Sequence, residues 1–476
     1  MNEPTLEMSS DEMRALGHAV VESIIRHYET LPQRPVVNWK GRDEMERALG
    51  GPPPEEGMGL DELLDEFEER VAPHMSHLDH PRMFGFIPSA GTFVGAMGDA
   101  LAAGYNIYAG TWIEGAAAQQ LELTVVDWFR RWLGMPETAG GTLVSGGSVA
   151  NLTALILARE ERLGETREDG VIYTSELAHS SVDRAARILG FRPDQVRKLR
   201  TDDAYRLDVA ALRDAVLRDA SRGRLPFCVV ANAGDTTTGS VDPLAEIAEL
   251  CEDRGLWMHI DAAYGGFAVL DPRGRASLDG IERADSVTLD PHKWLYTPYE
   301  AGCIVVRDFQ HLYDAFHILP AYLVDVAGGP RNVNMCDHGI TLSRGCRALK
   351  IWMAVKHFGL ARYREVISRT MDLARYAQEL LEANPSIEVV SPAVLGIVTF
   401  RYIPSPSSDD ETIERVNQEI RRRVWEGGEA MITSSRVRGR YVLRIAVVNH
   451  NARRSDVEAT VRLIGRLGTA VSSDLP

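Results

Sequence analysis

One lysine in this chain stands where a nucleophile could be made. In SVTLDPHKWLY (286–296), Val287 and Leu289 alternate as in a buried strand, Pro291 ends it, and His292, Lys293 and Trp294 follow on the turn. A lysine held there among apolar and aromatic neighbours loses solvation of its ammonium form. Its pKa is then expected to fall, leaving an amine able to form a Schiff base. Taken singly, the pattern also fits an ordinary surface lysine beside a strand. Ser145, Gly146, Gly147 and Ser148 lie between a strand and a helix, where bare N–H groups and a hydroxyl make either an anion site or a plain N-cap. Asp261 ends LWMHID and precedes Ala262 and Ala263; a carboxylate there calls for a cationic partner, and small neighbours let a flat ring lie against the backbone. The plain alternative is a salt bridge to an arginine. His179 ends another strand, with Ser180 or Ser181 expected to cap the following helix, and Thr236, Thr237 and Thr238 in AGDTTTGS supply hydroxyls at a strand end or complete a turn.

The elements that must position these groups follow from periodicity. From residue 142 strands and helices alternate: a strand at 142–144, a helix at 150–159, then VIYTS, FCVVANAG, LWMHIDAAY, SVTLD and CIVV with helical patterns between them. This predicts an α/β layer around a mostly parallel sheet, in which binding groups collect at the carboxyl ends of strands. Ahead of it, Met13, Leu16, Val20, Val21 and Ile24, and then Leu60, Leu63, Leu64 and Phe67, predict two helical arms joined by an extended connector at 32–54. Arms with so little core of their own are expected to pack on a second copy of the chain. The segment HPRMFGFIPSAGTF and the glycines Gly95, Gly98 and Gly104 read as a pocket wall or as a glycine-rich loop, and a helix follows at 119–133. A helix at 351–380 and strands within 387–402 and 441–448 predict a smaller α+β unit. The expected division is 1–92 for the arms and pocket segment, 93–350 for the large α/β domain and 351–476 for the small C-terminal domain.

Composition narrows the classes of function. A chain of 476 residues can build several domains, and its net charge of −16 disfavours a nucleic-acid partner. The five cysteines have no paired or metal-ligand spacing, so no metal is expected and reduced thiols suit a cytoplasmic protein. No apolar run is long enough to cross a bilayer, and no membrane association is expected.

A phosphate cradle, a stacking histidine, a carboxylate for a ring nitrogen and an amine for an aldehyde occur in that order. Those are the four handles of pyridoxal 5'-phosphate. Through SGGSVANL, AHSSVDRA, HIDAAYGG and DPHKWL the chain resembles the group II pyridoxal-phosphate-dependent decarboxylases, the family of aromatic L-amino acid and glutamate decarboxylases, from about His80 to VLRIAVVNH. The resemblance implies a fold type I, transferase-like architecture and a homodimer. It also implies that Lys293 forms the Schiff base, Asp261 keeps the ring nitrogen protonated and His179 stacks on the ring. Gly147 and Ser148 would bind the phosphate with His292 nearby, and Thr236 and Ala263 would touch the cofactor's edge or face. Phe86, Ile87, Pro88 and Ser89 align with the substrate pocket, and Ser89 with His179 would meet the substrate carboxylate. Tyr322 matches a mobile-loop tyrosine that protonates the carbanion after CO2 leaves through a quinonoid intermediate, and 321–337 would form a lid.

The chain also departs from the animal aromatic decarboxylases. Asp290 stands where they carry asparagine, and a carboxylate there would repel a phosphate unless turned away, so it is given no phosphate role. Phe86-Ile87 replaces a more aromatic pair, and Ser343 matches a position where serine accompanies phenolic substrates in plant relatives. The leading expectation is decarboxylation of tyrosine, dihydroxyphenylalanine or tryptophan. The rivals are an acidic or diamino substrate (glutamate, aspartate, 2,4-diaminobutyrate), an aminotransferase or aldehyde synthase, and a cofactor-binding scaffold without catalysis. The apolar wall (Phe84, Phe86, Ile87, Phe93) speaks against burying a second carboxylate, and Tyr322 against the aldehyde-forming branch, whose members carry phenylalanine there.

Overall fold

The computed structural model describes residues 6–164, 168–318 and 332–474. Seven strands build the large sheet: β1 (Gly140–Val144), β2 (Gly170–Ser175), β3 (Val196–Leu199), β4 (Leu225–Asn232), β5 (Trp257–Asp261), β6 (Ser286–Leu289) and β7 (Gly302–Val306). Their spatial order is β1-β7-β6-β5-β4-β2-β3. Strands β3, β2, β4, β5 and β6 pair in parallel, while β7 runs antiparallel to both β6 and β1. The reversal has a local cause. The link between β6 and β7 contains no helix, and without a crossover the chain can only return antiparallel.

Every residue of β2, β5, β6 and β7 is buried, as expected of strands covered on both faces. Alternate residues serve two apolar layers. Val171, Tyr173, Met258 and Ile260 join Val125, Phe129 and Leu133 of the helix Trp112–Leu133 on one side. Ile172, Val230 and Trp257 join Ala154, Leu155 and Ala158 of the helix Gly147–Arg162 on the other. The first of these helices begins well before the expected residue 119 because it continues through a bend at Gly115, where an alanine-rich turn carries no amphipathic signal.

A second, antiparallel sheet is made of β8 (Ile387–Val394), β9 (Ile397–Tyr402), β10 (Thr433–Val437) and β11 (Arg440–Ala446), in the order β10-β11-β9-β8. The helices Asp410–Gly427 and Arg454–Ser473 cover it, with Val416, Ile420, Val461 and Ile464 against Val398, Phe400 and Leu443. The long helix Arg347–Glu382 links the two sheets and breaks at Gly359, whose φ of 74° only glycine adopts without strain. The polar strand β10 (TSSRV) has too few apolar residues for the sequence to announce it.

Both N-terminal helices form. Ser10–Thr30 is capped by a reciprocal Ser9–Glu12 box, and Leu60–Glu66 follows later. Neither buries a single residue within this chain, so Met13 and Leu63 stay exposed. The 32–54 connector is less extended than expected: it holds the helix Arg42–Leu49, whose Asp43 and Glu44 lie in the first turn where the helix dipole favours them. Among the described residues, no helix is long and apolar enough to cross a membrane.

Candidate active site

The carboxyl ends of β1, β4, β5 and β6 open on one cavity of about 330 Å³. Its wall includes Gly147, Ser148, His179, Thr236, Asp261, Ala263, His292 and Lys293, so eight residues predicted from scattered motifs meet in one place. Gly147 and Ser148 begin the helix Gly147–Arg162, where N–H groups have no preceding carbonyl to bond. A Cβ on Gly147 would come within 3.0 Å of both the Ala263 Cβ and Asp290 Oδ2, and one on Gly146 within 3.2 Å of His292 Cε1. Glycine is therefore what keeps this cradle open to an anion.

Asp261 closes β5 with its carboxylate largely buried. Oδ2 accepts from Asn151 Nδ2 at 2.8 Å and Oδ1 accepts from the Ala263 N–H at 3.2 Å. Among the described residues no arginine pairs with it, so the salt-bridge alternative does not hold. A residue the sequence did not single out, Asn151, organises what surrounds it. Its Nδ2 also donates to Ser181 Oγ at 2.8 Å, and its Oδ1 accepts from Thr288 Oγ1 at 2.7 Å and His259 Nε2 at 3.0 Å. His259 Nδ1 lies 2.9 Å from Ser286 Oγ, which in turn accepts from Trp257 Nε1 at 2.9 Å. One tautomer satisfies all of these groups: Ser286 donates to His259 Nδ1, and the Nε2–H of His259 donates to Asn151. Burial pushes the His259 pKa down to about 4, against a partial opposing pull from Asp261, so the ring is neutral.

The same network reaches His179. Ser181 Oγ is 2.8 Å from His179 Nδ1, and that nitrogen also accepts from the Ser181 N–H at 3.3 Å. The histidine, rather than Ser180 or Ser181, thus caps its own helix, because its ring nitrogen reaches the free N–H two residues on. Thr236 lines the cavity, while Thr238 donates to Asp235 to complete the turn and Thr237 Oγ1 lies 3.1 Å from Ser435 Oγ.

Lys293 is fixed by the turn it sits on. Its N–H donates to the Asp290 carbonyl at 2.8 Å; Trp294 beside it is fully buried, donates to Thr370 Oγ1 at 3.0 Å and stacks on Tyr264 at 5.2 Å. Nζ lies 2.9 Å from Asp290 Oδ2. This reverses one expectation. Burial by itself would lower the Lys293 pKa, but the charge and hydrogen bond of Asp290, helped by Asp261, outweigh it and hold the pKa above the usual lysine value. His292 is neutral: burial lowers its pKa despite nearby Asp290, and Nδ1 accepts from the Ala301 N–H at 3.2 Å.

Several predicted residues lie elsewhere. Phe86, Ile87, Pro88 and Ser89 do not line this cavity: Phe86 is 54% exposed, Ile87 packs into the main core, and Ser89 Oγ is buried against the Ala90 carbonyl at 3.3 Å. Ser343 is exposed on a turn away from it. Tyr322 and most of the 321–337 lid fall outside the described residues. The cavity also includes Asn151, Asp235, Asp290 and Glu300, the last held by Arg347 at 2.8 Å. Only the position of Asn151 within SGGSVANL, four residues past Gly147 on one helix face, could have signalled its role.

A family model described as the pyridoxal-dependent decarboxylase conserved domain matches residues 44–403. An aromatic-L-amino-acid decarboxylase of Bacillus atrophaeus is 40% identical over 472 residues, 99% of this chain and 98% of that protein. A phenylacetaldehyde synthase of Arabidopsis thaliana is 32% identical, spanning 92% of each. Among solved structures, Oryza sativa TDC with PLP and tryptamine superposes with a TM-score of 0.93 at 29% identity, covering 98% of this chain and 99% of that one. The chain belongs to the pyridoxal-dependent decarboxylase family. It is a decarboxylase of amino acids that depends on pyridoxal 5'-phosphate, and the open glycine cradle, buried carboxylate and lysine around one cavity fit that cofactor.

Proposed function

We propose that this enzyme converts an aromatic L-amino acid, of the kind represented by tyrosine, dihydroxyphenylalanine and tryptophan, to its amine and CO2. The observation that carries the reading is the convergence of Lys293, Asp261, His179 and the Gly147–Ser148 turn on one cavity, in a chain so similar to an aromatic-L-amino-acid decarboxylase. When bound, the cofactor supplies an aldehyde for an amine and a ring that withdraws electrons from the substrate Cα. Gly147 and Ser148, with His292 nearby, would hold its phosphate, and His179, Ala263 and Thr236, which line the same cavity, would hold its ring. Asp261, oriented by Asn151 and the Ala263 N–H, holds a proton at the ring nitrogen. Lys293 supplies the amine that holds the cofactor and later releases product. Phe86, Ile87, Pro88 and Ser89 contribute to substrate binding, with Ser89 and His179 toward its carboxylate, and Tyr322 delivers the proton to Cα once CO2 has left. The uncovered faces of the helices Ser10–Thr30 and Leu60–Glu66 favour a homodimer, which sedimentation at twice the monomer mass would check, and the unpaired thiols suit a cytoplasmic location.

One observation supports a second reading, an acidic or diamino substrate. Arg444 is buried on β11 with Thr433 Oγ1 as its hydrogen-bond partner at 3.0 and 3.2 Å, and the same hydroxyl accepts from the Phe86 N–H at 3.4 Å. A buried guanidinium beside the Phe86 segment is a ready partner for a carboxylate. The test is incubation of cofactor-loaded enzyme with separate L-amino acids, following CO2, amine, aldehyde and keto acid, with Lys293→Ala as control. CO2 and amine from tyrosine or tryptophan, lost in the variant, support the aromatic reading. Turnover restricted to glutamate, aspartate or 2,4-diaminobutyrate replaces it with the second, and aldehyde or keto acid as the main product refutes both.

A further inference from the structure

We propose that Asp290 is the positioning residue for the amine of Lys293: in the cofactor-free enzyme it holds that side chain as an ammonium ion beside the phosphate cradle, and loading of the cofactor requires the pair to open. The inference rests on the reading of Lys293 given above. Asp290 is 2% exposed at the end of β6, tethered by its N–H to the Ala263 carbonyl at 3.2 Å. Oδ2 meets Lys293 Nζ at 2.9 Å and His292 Nε2 at 3.6 Å, whereas Oδ1 is buried with no hydrogen-bond partner among the described residues. Both oxygens face the start of the helix Gly147–Arg162, at 3.0 and 3.5 Å from where a Cβ on Gly147 would stand. An orphaned, buried carboxylate oxygen is costly, and here it lies where an anion is expected.

The surrounding charges leave Asp290 as the group that meets the amine directly. Asp261 acts on Lys293 from farther away, and Tyr299 is near both members of the pair. His292 is neutral, Glu300 is bound to Arg347, and Lys350 is bound to Asp99 at 3.0 Å. Loading joins Lys293 Nζ to the cofactor's aldehyde carbon. The ammonium first gives up a proton to solvent, the freed lone pair forms the carbon–nitrogen bond, and the aldehyde oxygen leaves as water with the two protons remaining on nitrogen.

The test strips full-length enzyme of cofactor and mixes it with pyridoxal 5'-phosphate from about pH 6 to about pH 9, following the visible imine absorbance; the wild-type loading rate should rise with pH as the ammonium deprotonates. Asp290→Asn and Asp290→Ala should both move the midpoint of that profile to lower pH and load about tenfold faster at neutral pH, since an opposite charge at this distance shifts a pKa by a unit or more. Superposable profiles, or slower loading by both variants, overturn the proposal and leave the cofactor assignment standing. Absence of the visible band from wild type at every pH, with Lys293→Ala indistinguishable, overturns the cofactor assignment beneath it.

Discussion

Replacing Asn151 by alanine removes four hydrogen bonds at once, and their geometry says what each loss should do. Its Nδ2 supports Asp261 Oδ2 and Ser181 Oγ, both at 2.8 Å; its Oδ1 receives Thr288 Oγ1 at 2.7 Å and His259 Nε2 at 3.0 Å. Thr288 and His259 lie 3.4 Å apart and can partly satisfy each other, so they count as one orphan rather than two. With about 1–3 kcal/mol for a buried group left unpaired and about 1.5–3 kcal/mol for a hydrogen bond to a charge, stability should fall by about 3–5 kcal/mol. The functional share is the bond to Asp261. Losing about 1.5–3 kcal/mol from the group that is to hold a proton on the ring should weaken cofactor binding by about 10- to 150-fold. Because Ser181 also lets go, His179 loses its hydroxyl partner and kcat should fall further than cofactor occupancy explains. Urea unfolding of the cofactor-free chain, equilibrium binding of the cofactor and kcat at saturating cofactor separate the three effects. A variant that loses stability but keeps wild-type cofactor affinity and kcat would refute the network and leave Asn151 a packing residue.

Two further outcomes follow from buried charge. Glu122 and Arg344, each with a 2% exposed side chain, form an ion pair in which Glu122 also accepts from Thr142 Oγ1 at 3.0 Å and the Leu143 N–H at 2.7 Å, fixing β1 just before the cradle. Glu122→Ala should cost about 3–5 kcal/mol in urea unfolding, while Glu122→Leu with Arg344→Met should recover much of it; a single-variant cost under about 1 kcal/mol would contradict the assignment. Acid should destabilise the chain between about pH 6.5 and pH 4. His80, His259 and His450 are each pushed by burial from the ordinary 6.5 to about 4, so the unfolded chain binds protons first as pH falls. Their stabilisation is fully present above about pH 6.5 and is lost downward, on the order of 3 kcal/mol for each histidine. His259→Gln, which keeps a donor toward Asn151, should remove about 3 kcal/mol of that acid loss; an unchanged slope would mean His259 does not titrate there.

The sheet was legible because its central strands are continuous apolar runs flanked by turn residues. The eight cavity residues were legible because each sits at a strand end or helix start, where backbone geometry leaves a motif in the sequence. What could not be read is side-chain partnership across long separations. Asn151 looks like any polar residue in a helix, and its partners lie 30, 108, 110 and 137 residues away. The sign of the Lys293 shift was missed for a related reason: apolar neighbours were visible, but the orientation of Asp290 toward the amine was not. Strand β10 and the helix Arg42–Leu49 escaped notice because both are mostly polar and depend on neighbours or capping rather than periodicity.

Two of the site's buried carboxylates, Asp261 and Asp290, are built for different tasks. Asp261 is held from both oxygens by groups that cannot leave, the side-chain amide of Asn151 and a backbone N–H, and these neutral donors stabilise its charge without consuming it. A cation placed against Asp261 therefore meets an acceptor fixed in place, as a protonated ring nitrogen requires. Asp290 has instead one movable ionic partner and, among the described residues, one oxygen without a hydrogen-bond partner. Lys293 is the ammonium in direct contact with it, so chemistry that turns Lys293 into an uncharged group removes that ionic contact. Had a second fixed amide supported Asp290, the amine and the carboxylate would be independent. The open oxygen is what couples them, and it lies on the side of the cradle.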